Sequence, residues 1–204
     1  LMAALTAGRA GARVILADED FRMGGRLNAE TLEVGGKAGA DWAAGMVAEL
    51  ATMPNVRLMA RTTIIGAFDH GIYGAVERVS DHLAVPQAGK PRQTLWRIYS
   101  KRAILAAGAI ERPIAFENND RPGIMLAGAL RAYANRWGVA AGDRVAIFTN
   151  NDDGLRTAKD LQARGVDVAA LIDSRTGGSL LPGIRHLQGA QVVDSSGRLG
   201  LSSI

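Results

Sequence analysis

The chain contains no cysteine, only three histidines and few aromatic residues, which make up 5% of its 204 positions. The lack of cysteine excludes structural disulfides, zinc ribbons and a redox-active Cys-x-x-Cys motif within this stretch. The histidines (His70, His82 and His186) have no neighbours at the spacing of metal ligands. We therefore predict no metal site and interpret the histidines as ordinary polar residues.

Long apolar runs and clustered positive charge are also missing. No apolar stretch approaches the roughly 20 residues that a membrane-spanning helix needs, and the first residues lack the basic and apolar regions of a secretory signal. The net charge of +4 comes mostly from scattered arginines without interleaved aromatic residues. These features predict a cytoplasmic protein that has neither a membrane nor a nucleic acid as a partner.

No Ser-His-Asp pattern, pair of catalytic carboxylates or phosphate-binding P-loop is recognisable, so the sequence assigns no catalytic residue. The chain also has no initiator methionine and starts within an apparent helix. We therefore expect it to be a segment of a longer polypeptide, with a glycine-rich turn upstream of Leu1.

Two strand–helix patterns are present. The run "ARVILAD", residues 12–18, follows a small-residue helix at 1–10 and predicts a parallel strand buried on both faces. The second pattern consists of a helix at 123–139, a strand at 142–150, a helix at 152–165 and a strand at 166–175. Each pattern is typical of a β-α-β unit, the building block of parallel sheets in α/β proteins.

The stretch between these units alternates between apolar and polar residues. This alternation predicts antiparallel strands at 71–83 and 93–108. The other predicted elements are a loop at 23–27, a helix at 38–53 and two short strands within 56–68. Together they predict an α/β fold of the FAD/NAD(P)-binding type, with tandem doubly wound (Rossmann-like) lobes and an antiparallel β excursion. We place the lobes at residues 1–115 and 116–204.

Three acids follow the first predicted strand. Asp18 ends that strand, and Glu19 and Asp20 come next. In a dinucleotide-binding β-α-β unit, an acid at this point accepts hydrogen bonds from the adenosine ribose, and its charge repels the 2′-phosphate of NADP. The pattern favours NAD or FAD as the ligand. The alternative is that the acids form a solvated strand end.

Further candidate cofactor-binding residues follow these acids in the sequence. Gly24 and Gly25 let the backbone approach a phosphate or ribose, and Arg26 can neutralise a diphosphate, although a glycine pair marks many turns. We expect main-chain groups of Thr63 or Ile64 to hold the adenine.

The run "RAILAAGAIERP", residues 102–113, ends its apolar part in small residues. Ala107 and Gly108 leave room for a flat ligand across the end of a buried strand. The alternative is a tight strand exit that needs only glycine.

The second unit lacks a glycine-rich turn. Its strand–helix connection contains Gly154 alone, preceded by Asp152 and Asp153. These carboxylates would repel a phosphate from a helix N-terminus that otherwise attracts one. We predict that this lobe binds no dinucleotide, and we interpret the two acids as the N-cap of the helix.

Several of these stretches resemble known sequences. Asp18, "GGRL", "AAGAIERP" and "NNDRPGIMLAGALRAYANRWGV" occur in this order and resemble the flavoprotein-type pyridine nucleotide oxidoreductases with two dinucleotide-binding domains. The stretches "AFDHGIYGAVERVSDHL" and "ERPIAFENNDRPGIM" are similar to the NAD-binding region of the alpha subunits of heterotetrameric sarcosine oxidases. The resemblance covers nearly the whole chain, and it is specific in the middle and loose after residue 175.

The resemblance implies an enzyme that demethylates sarcosine to glycine, transfers the one-carbon unit to tetrahydrofolate and reduces oxygen to hydrogen peroxide. It also implies beta, gamma and delta subunits as partners, NAD bound in this subunit, and FAD and FMN in the whole enzyme. Ala107 stands where the family has threonine, in a strand end that lies against the dinucleotide. Two alternatives stay open: a subunit of an FAD-dependent amino-acid or opine-type dehydrogenase, and a structural lobe without a ligand.

Overall fold

A helix and a parallel strand pair open the chain in the computed structural model, which describes residues 1–204. Helix α1 (Met2–Arg9) is followed by Gly11 at a φ of +81°. Strand β1 (Val14–Ala17) pairs in parallel with β4 (Val56–Met59). The predicted helix and strand are confirmed, but Ile15 is 47% exposed, so the strand is not buried on both faces.

One face of this strand pair carries the core of the first unit. Leu5 of α1 and Leu50 of helix α2 (Gly39–Ala51) are almost fully buried. Val14 and Leu16 pack against them, and alternate strand side chains point to opposite faces. Ile15 therefore faces away from the helices, which explains its exposure.

The segment between β1 and α2 contains short elements. A 3₁₀ helix (Gly25–Ala29) precedes a small antiparallel hairpin formed by β2 (Glu33–Val34) and β3 (Lys37–Ala38). The predicted loop at 23–27 is therefore partly wrong. The predicted helix at 38–53 is confirmed as α2, although α2 is shorter.

An antiparallel sheet follows. It contains β5 (Thr62–Phe68), β6 (Ile72–Arg78) and β7 (Gln93–Tyr99) in that order. The two antiparallel strands and the two short strands of 56–68 are thus confirmed. However, β6 ends at Arg78 and β7 ends at Tyr99, so the predicted continuations to residues 83 and 108 are wrong.

Residues 102–116 form no regular secondary structure. Ile104 and Leu105 are 73% and 92% exposed. Strand propensity depends on packing against neighbouring strands and on burial. No strand pairs with this segment, and its apolar composition alone does not make it a strand.

The second unit contains a three-stranded parallel sheet and its connecting helix. The strands are β8 (Arg144–Thr149), β9 (Asp167–Asp173) and β10 (His186–Gln188), in the order β10–β9–β8. Helix α4 (Asp152–Ala163) connects β8 to β9 and buries Ala158 and Leu161. The predicted strand–helix–strand pattern is confirmed, and β10 is an additional strand that the sequence did not predict.

The N-cap of α4 differs from the prediction. Asn151 is the N-cap residue, and its Oδ1 accepts a hydrogen bond from the Asp153 amide at 2.9 Å. Asp152 and Asp153 instead occupy the first turn, where negative charge is favourable near the helix N-terminus.

The predicted helix at 123–139 is shorter and irregular. Helix α3 (Ala127–Ala132) continues as a π-helical turn (Tyr133–Trp137). Leu130 and Ala134 face the core of the second unit. Leu126, however, lies before the helix, and Tyr133 is 45% exposed.

The chain divides into two compact units. The first comprises Leu1–Asn28 and Leu32–Gly108, and the second comprises Ala29–Thr31 and Ala109–Ile204. Both units are of mixed α/β type. None of the helices has both the length and the apolar character that crossing a bilayer requires. No group of three or more histidine and carboxylate side chains is arranged to hold a metal ion.

Candidate cofactor site

The acidic turn after β1 has a fixed backbone. The Asp18 amide donates to the Met59 carbonyl at 3.0 Å, and the Asp18 carbonyl accepts from the Thr62 amide at 2.8 Å. Arg78 Nη2 donates to the carbonyl of Glu19 at 2.6 Å. These bonds tie the turn to the end of β4, to β5 and to β6, so the three acids stand on a defined scaffold.

The Asp18 carboxylate is half-buried and retains hydrogen-bonding capacity. Its Oδ1 accepts from the Asp20 amide at 3.0 Å, while Oδ2 makes no hydrogen bond within the chain. Glu19 is exposed. The turn thus offers carboxylate oxygens that can accept hydrogen bonds from the hydroxyls of a ligand.

Both glycines of the pair have a positive φ, a backbone conformation that favours glycine. Gly24 has a φ of +137°, and a Cβ there would lie 3.0 Å from Ala43 Cβ. Gly25 has a φ of +56°, and no atom lies within 4 Å of the position of its Cβ. Because Gly25 and Arg26 are exposed, the backbone and the guanidinium can reach an anionic ligand.

Thr63 and Ile64 lie in β5, and their main-chain groups point to opposite sides. Thr62 donates its amide to the Asp18 carbonyl, on the side of β5 that faces away from β6. Backbone groups of a strand alternate with a period of two residues. Ile64 therefore directs its main-chain groups to this open side, whereas Thr63 directs them towards β6.

Ala107 and Gly108 lie in the exposed irregular segment. The prediction that they end a buried strand is wrong, for the pairing reason given above. Gly108 has a φ of +70°, and no atom lies within 4 Å of the position of its Cβ. The structure does not join these two residues to the acidic turn by any hydrogen bond.

An apolar cavity of about 390 Å³ lies on the antiparallel sheet, away from the acidic turn. It contains none of the predicted cofactor residues. Its lining consists of Ile65, Phe68, Ile72, Gly74, Leu95, Trp96 and Arg97.

Three charged side chains of the second unit, Arg175, Asp173 and Asp152, form a group of ion pairs that we call the clamp. Arg175 Nη2 donates to Asp173 Oδ2 at 2.8 Å and to Asp152 Oδ1 at 2.9 Å. The Arg175 amide and Nε also donate to Asp173 Oδ1. The guanidinium holds the pKa of the buried Asp173 carboxyl below its usual value of 3.8.

This clamp predicts a defined pH dependence. A lowered folded-state pKa stabilises the protein above pH 3.8, and the stabilisation is lost as the pH falls through the folded-state pKa. We expect Arg175→Gln to lower the free energy of unfolding at neutral pH, and the difference from wild type to shrink as the pH falls below 3.8. Urea titrations across this range measure the difference.

Arg144→Gln is the matched control for this prediction. Arg144 pairs with Asp167 at 3.1 Å between neighbouring strands of the same sheet, but both side chains are mostly exposed. Exposed pairs contribute little, so this variant should change stability only slightly at any pH. A difference for Arg175→Gln that stays constant as the pH falls below 3.8 would contradict the role of Asp173.

A buried polar cluster in the second unit was not identified from the sequence. Arg131 is 4% exposed, and its Nη2 lies 3.2 Å from Glu30 Oε1. Asp160 accepts hydrogen bonds from Thr31 Oγ1 at 2.8 Å and from Asn135 Nδ2 at 2.9 Å. The partners are up to 129 positions apart in the chain. The one signal in the sequence was the spacing of Arg131 and Asn135, which places them on one side of a helix.

No family model matches the chain. It is 55% identical over 175 residues to the sarcosine oxidase subunit alpha of Rhizobium meliloti (strain 1021), covering 86% of this chain and 18% of that protein. It is 44% identical over 203 residues to the sarcosine oxidase subunit alpha of Corynebacterium sp. (strain P-1), covering 96% of this chain and 21% of that protein.

Among solved structures, the L-proline dehydrogenase from P. horikoshii is similar, with a TM-score of 0.68 and 27% identity. The match covers 87% of this chain and 34% of that one. These relatives confirm the resemblance drawn from "AFDHGIYGAVERVSDHL" and "ERPIAFENNDRPGIM". The chain belongs to the sarcosine oxidase alpha subunits, as a segment that spans about one fifth of the length of the relatives it matches.

Proposed function

We propose that the chain is the dinucleotide-binding part of the alpha subunit of a sarcosine oxidase. The 55% identity to a sarcosine oxidase subunit alpha carries this proposal. The enzyme would convert sarcosine, oxygen and tetrahydrofolate into glycine, hydrogen peroxide and methylenetetrahydrofolate. The N-methyl carbon goes to the folate, and two electrons go to oxygen. The proposal includes beta, gamma and delta subunits as partners and a cytoplasmic location.

The proposed ligand of this chain is NAD, with FAD and FMN in other parts of the enzyme. The residues present fit a dinucleotide. Asp18 provides a carboxylate for the ribose hydroxyls, and Gly25 and Arg26 provide exposed backbone and positive charge for the diphosphate. A nicotinamide dinucleotide supplies hydride-transfer chemistry where its ring meets a partner, but the chain assigns no residue to that step.

The adenine and the far end of the ligand have separate proposed contacts. The open main chain of Ile64 supports adenine binding there more directly than Thr63 does, because Thr63 directs its backbone groups towards β6. Ala107 and Gly108 remain proposed contacts through the family resemblance. Their exposure and the positive φ of Gly108 leave space for a ligand.

The second lobe is proposed to bind no dinucleotide, and residues 1–115 and 116–204 are proposed as the functional lobes. Asp152 and Asp153 place negative charge in the first turn of α4. The nearby cation, Arg175, already binds Asp152 and Asp173. A diphosphate at this point would have to displace that ion pairing.

The ribose assignment makes a testable prediction. The full-length protein should bind NAD more tightly than NADP, because the Asp18 carboxylate repels the 2′-phosphate. Asp18→Ala should weaken NAD binding by about 1–3 kcal/mol, the free energy of a hydrogen bond to a charged group. Isothermal titration calorimetry with both dinucleotides measures the two quantities. Tighter binding of NADP by the wild type would overturn the assignment.

Two further variants sharpen this test. Asp18→Asn keeps an oxygen that can accept from the Asp20 amide, so it should preserve the turn while reducing discrimination against NADP. Asp69→Ala removes an exposed carboxylate at the turn between β5 and β6 and should leave NAD affinity unchanged. Equal losses for Asp18→Ala and Asp69→Ala would show a general charge effect instead of a specific contact.

A second candidate function has support from the structural comparison. The likeness to an L-proline dehydrogenase favours a subunit of an FAD-dependent amino-acid or opine-type dehydrogenase. Mass spectrometry of the small molecule released by denaturing the full-length protein, together with an assay on sarcosine, separates the candidates. Released NAD with sarcosine turnover supports the first, whereas FAD with turnover of another amino acid supports the second. A protein without any released dinucleotide would instead be a structural lobe.

A further inference from the structure

Asn135 makes an unusual pair of contacts with its side-chain amide. Nδ2 donates to the Ala29 carbonyl at 3.0 Å and to Asp160 Oδ2 at 2.9 Å. Both partners are acceptors, so the amide nitrogen must face them. As a result Oδ1 is buried and has no hydrogen-bond partner.

A buried acceptor without a partner costs free energy, because it loses its hydrogen bonds to water and gains none in the protein. Such groups in native structures call for an explanation. Asn135 lies in the π-helical turn Tyr133–Trp137, and π-helical turns occur frequently at functional sites. The free-energy cost of the unpaired Oδ1 and the π-helical geometry of the turn suit a functional role better than a purely stabilising one. We therefore ask what the two hydrogen bonds donated by Nδ2 hold in place.

The contacted carbonyl belongs to the last residue of the 3₁₀ helix Gly25–Ala29. Two residues later, Thr31 donates its hydroxyl to Asp160 Oδ1 at 2.8 Å. Between them, Glu30 pairs with the buried guanidinium of Arg131 at 3.2 Å. Three consecutive residues, Ala29–Thr31, are therefore held by side chains of α3, the π-helical turn and α4.

We propose that Asn135 and Asp160 are positioning residues, which fix the end of the 3₁₀ helix so that Gly25 and Arg26 at its start hold the conformation that receives the dinucleotide. This inference rests on the proposed function for the identity of the ligand. It assigns a role in binding to residues more than 100 positions away in the chain from the glycine pair. They act through hydrogen bonds to the segment that follows the glycines and do not touch the ligand.

Thr31→Val and Asn135→Leu test the proposal in the full-length protein. Thr31→Val removes one hydrogen bond and keeps the shape of the side chain. Asn135→Leu removes both donated bonds and also the orphaned acceptor, which offsets part of its stability cost. We expect hydrogen exchange of the amides of residues 25–30, measured without ligand, to accelerate about fivefold in Thr31→Val and more in Asn135→Leu. The dissociation constant for NAD should rise by similar factors.

The matched control is Thr157→Val. Thr157 is buried, and its hydroxyl donates to the Asp153 carbonyl at 2.9 Å within α4. The variant removes one hydroxyl bond in the same unit, so it should change stability without changing exchange of residues 25–30 or NAD affinity. Thr31→Ser retains a hydroxyl and should restore both readouts towards wild type.

The outcomes are distinct. Unchanged exchange of residues 25–30 in both variants overturns the proposal, as does faster exchange with an unchanged dissociation constant for NAD. An equal effect of Thr157→Val reduces the result to general destabilisation and overturns it as well. If the wild-type protein binds no NAD, the proposed function fails, and the exchange data alone then decide whether the polar contacts hold the 3₁₀ helix.

Discussion

Arg131→Met is expected to lower the free energy of unfolding by about 3–5 kcal/mol, the cost of removing one partner from a buried ion pair. The Arg131 side chain is 5% exposed, and those of Glu30 and Asp160 are 11% and 10% exposed. The guanidinium lies 3.2 Å from Glu30 Oε1 and 3.9 Å from Asp160 Oδ2. Without it, two largely buried carboxylates lose the guanidinium that lies within 4 Å of both. Chemical denaturation at neutral pH measures the loss.

Arg156→Met is the matched control. Arg156 pairs with Asp153 at 3.4 Å in the first part of α4, but its side chain is 58% exposed. The same chemical change should therefore cost only a few tenths of a kcal/mol, as for exposed pairs three positions apart on a helix. Similar losses for both variants would mean that burial does not determine the contribution of Arg131. Adding Glu30→Gln to Arg131→Met should recover part of the loss, because it removes one of the two largely buried carboxylate charges.

Leu50→Ala is expected to destabilise the first unit by about 2–5 kcal/mol, as for large-to-small substitutions in a packed core. Leu50 is 0% exposed and belongs to a small cluster with Ala4 and Leu5. Other apolar side chains of α1, α2, β1 and β4 pack against this cluster, and truncation of Leu50 leaves a cavity among them. Urea denaturation, combined with hydrogen exchange of α2 amides, measures the effect and locates it.

Leu199→Ala provides the comparison for the core substitution. Leu199 is 93% exposed, and its truncation should change stability by less than about 0.5 kcal/mol. A loss of less than 1 kcal/mol for Leu50→Ala, close to that of the control, would show that the cluster around α2 is not the core of the first unit.

The predictability of the candidate site differed from residue to residue. Asp18 was correctly placed at the end of a parallel strand, because a β-branched run followed by acids is a local pattern. Gly24 and Gly25 do adopt the positive φ values that their sequence allows. The predicted end of β7 was wrong, since a second apolar run lies at residues 103–107 while strand pairing stops at Tyr99. Pairing depends on a neighbour, and a single sequence does not supply one.

By itself, the sequence determined the local elements and the family. Helices α2 and α4, the parallel pair β8–β9 and the antiparallel sheet follow from periodicity and turn residues, which act over a few neighbouring positions. The motifs around residues 67–83 and 111–125 were enough to place the chain among the sarcosine oxidase alpha subunits.

Tertiary structure alone decided that Ala29–Thr31 joins the second unit and that Asn135 and Asp160 contact it. Those contacts join residues about 100 positions or more apart, and their hydrogen bonds are strong because burial removes competing water. No local pattern encodes which distant side chains share such a site.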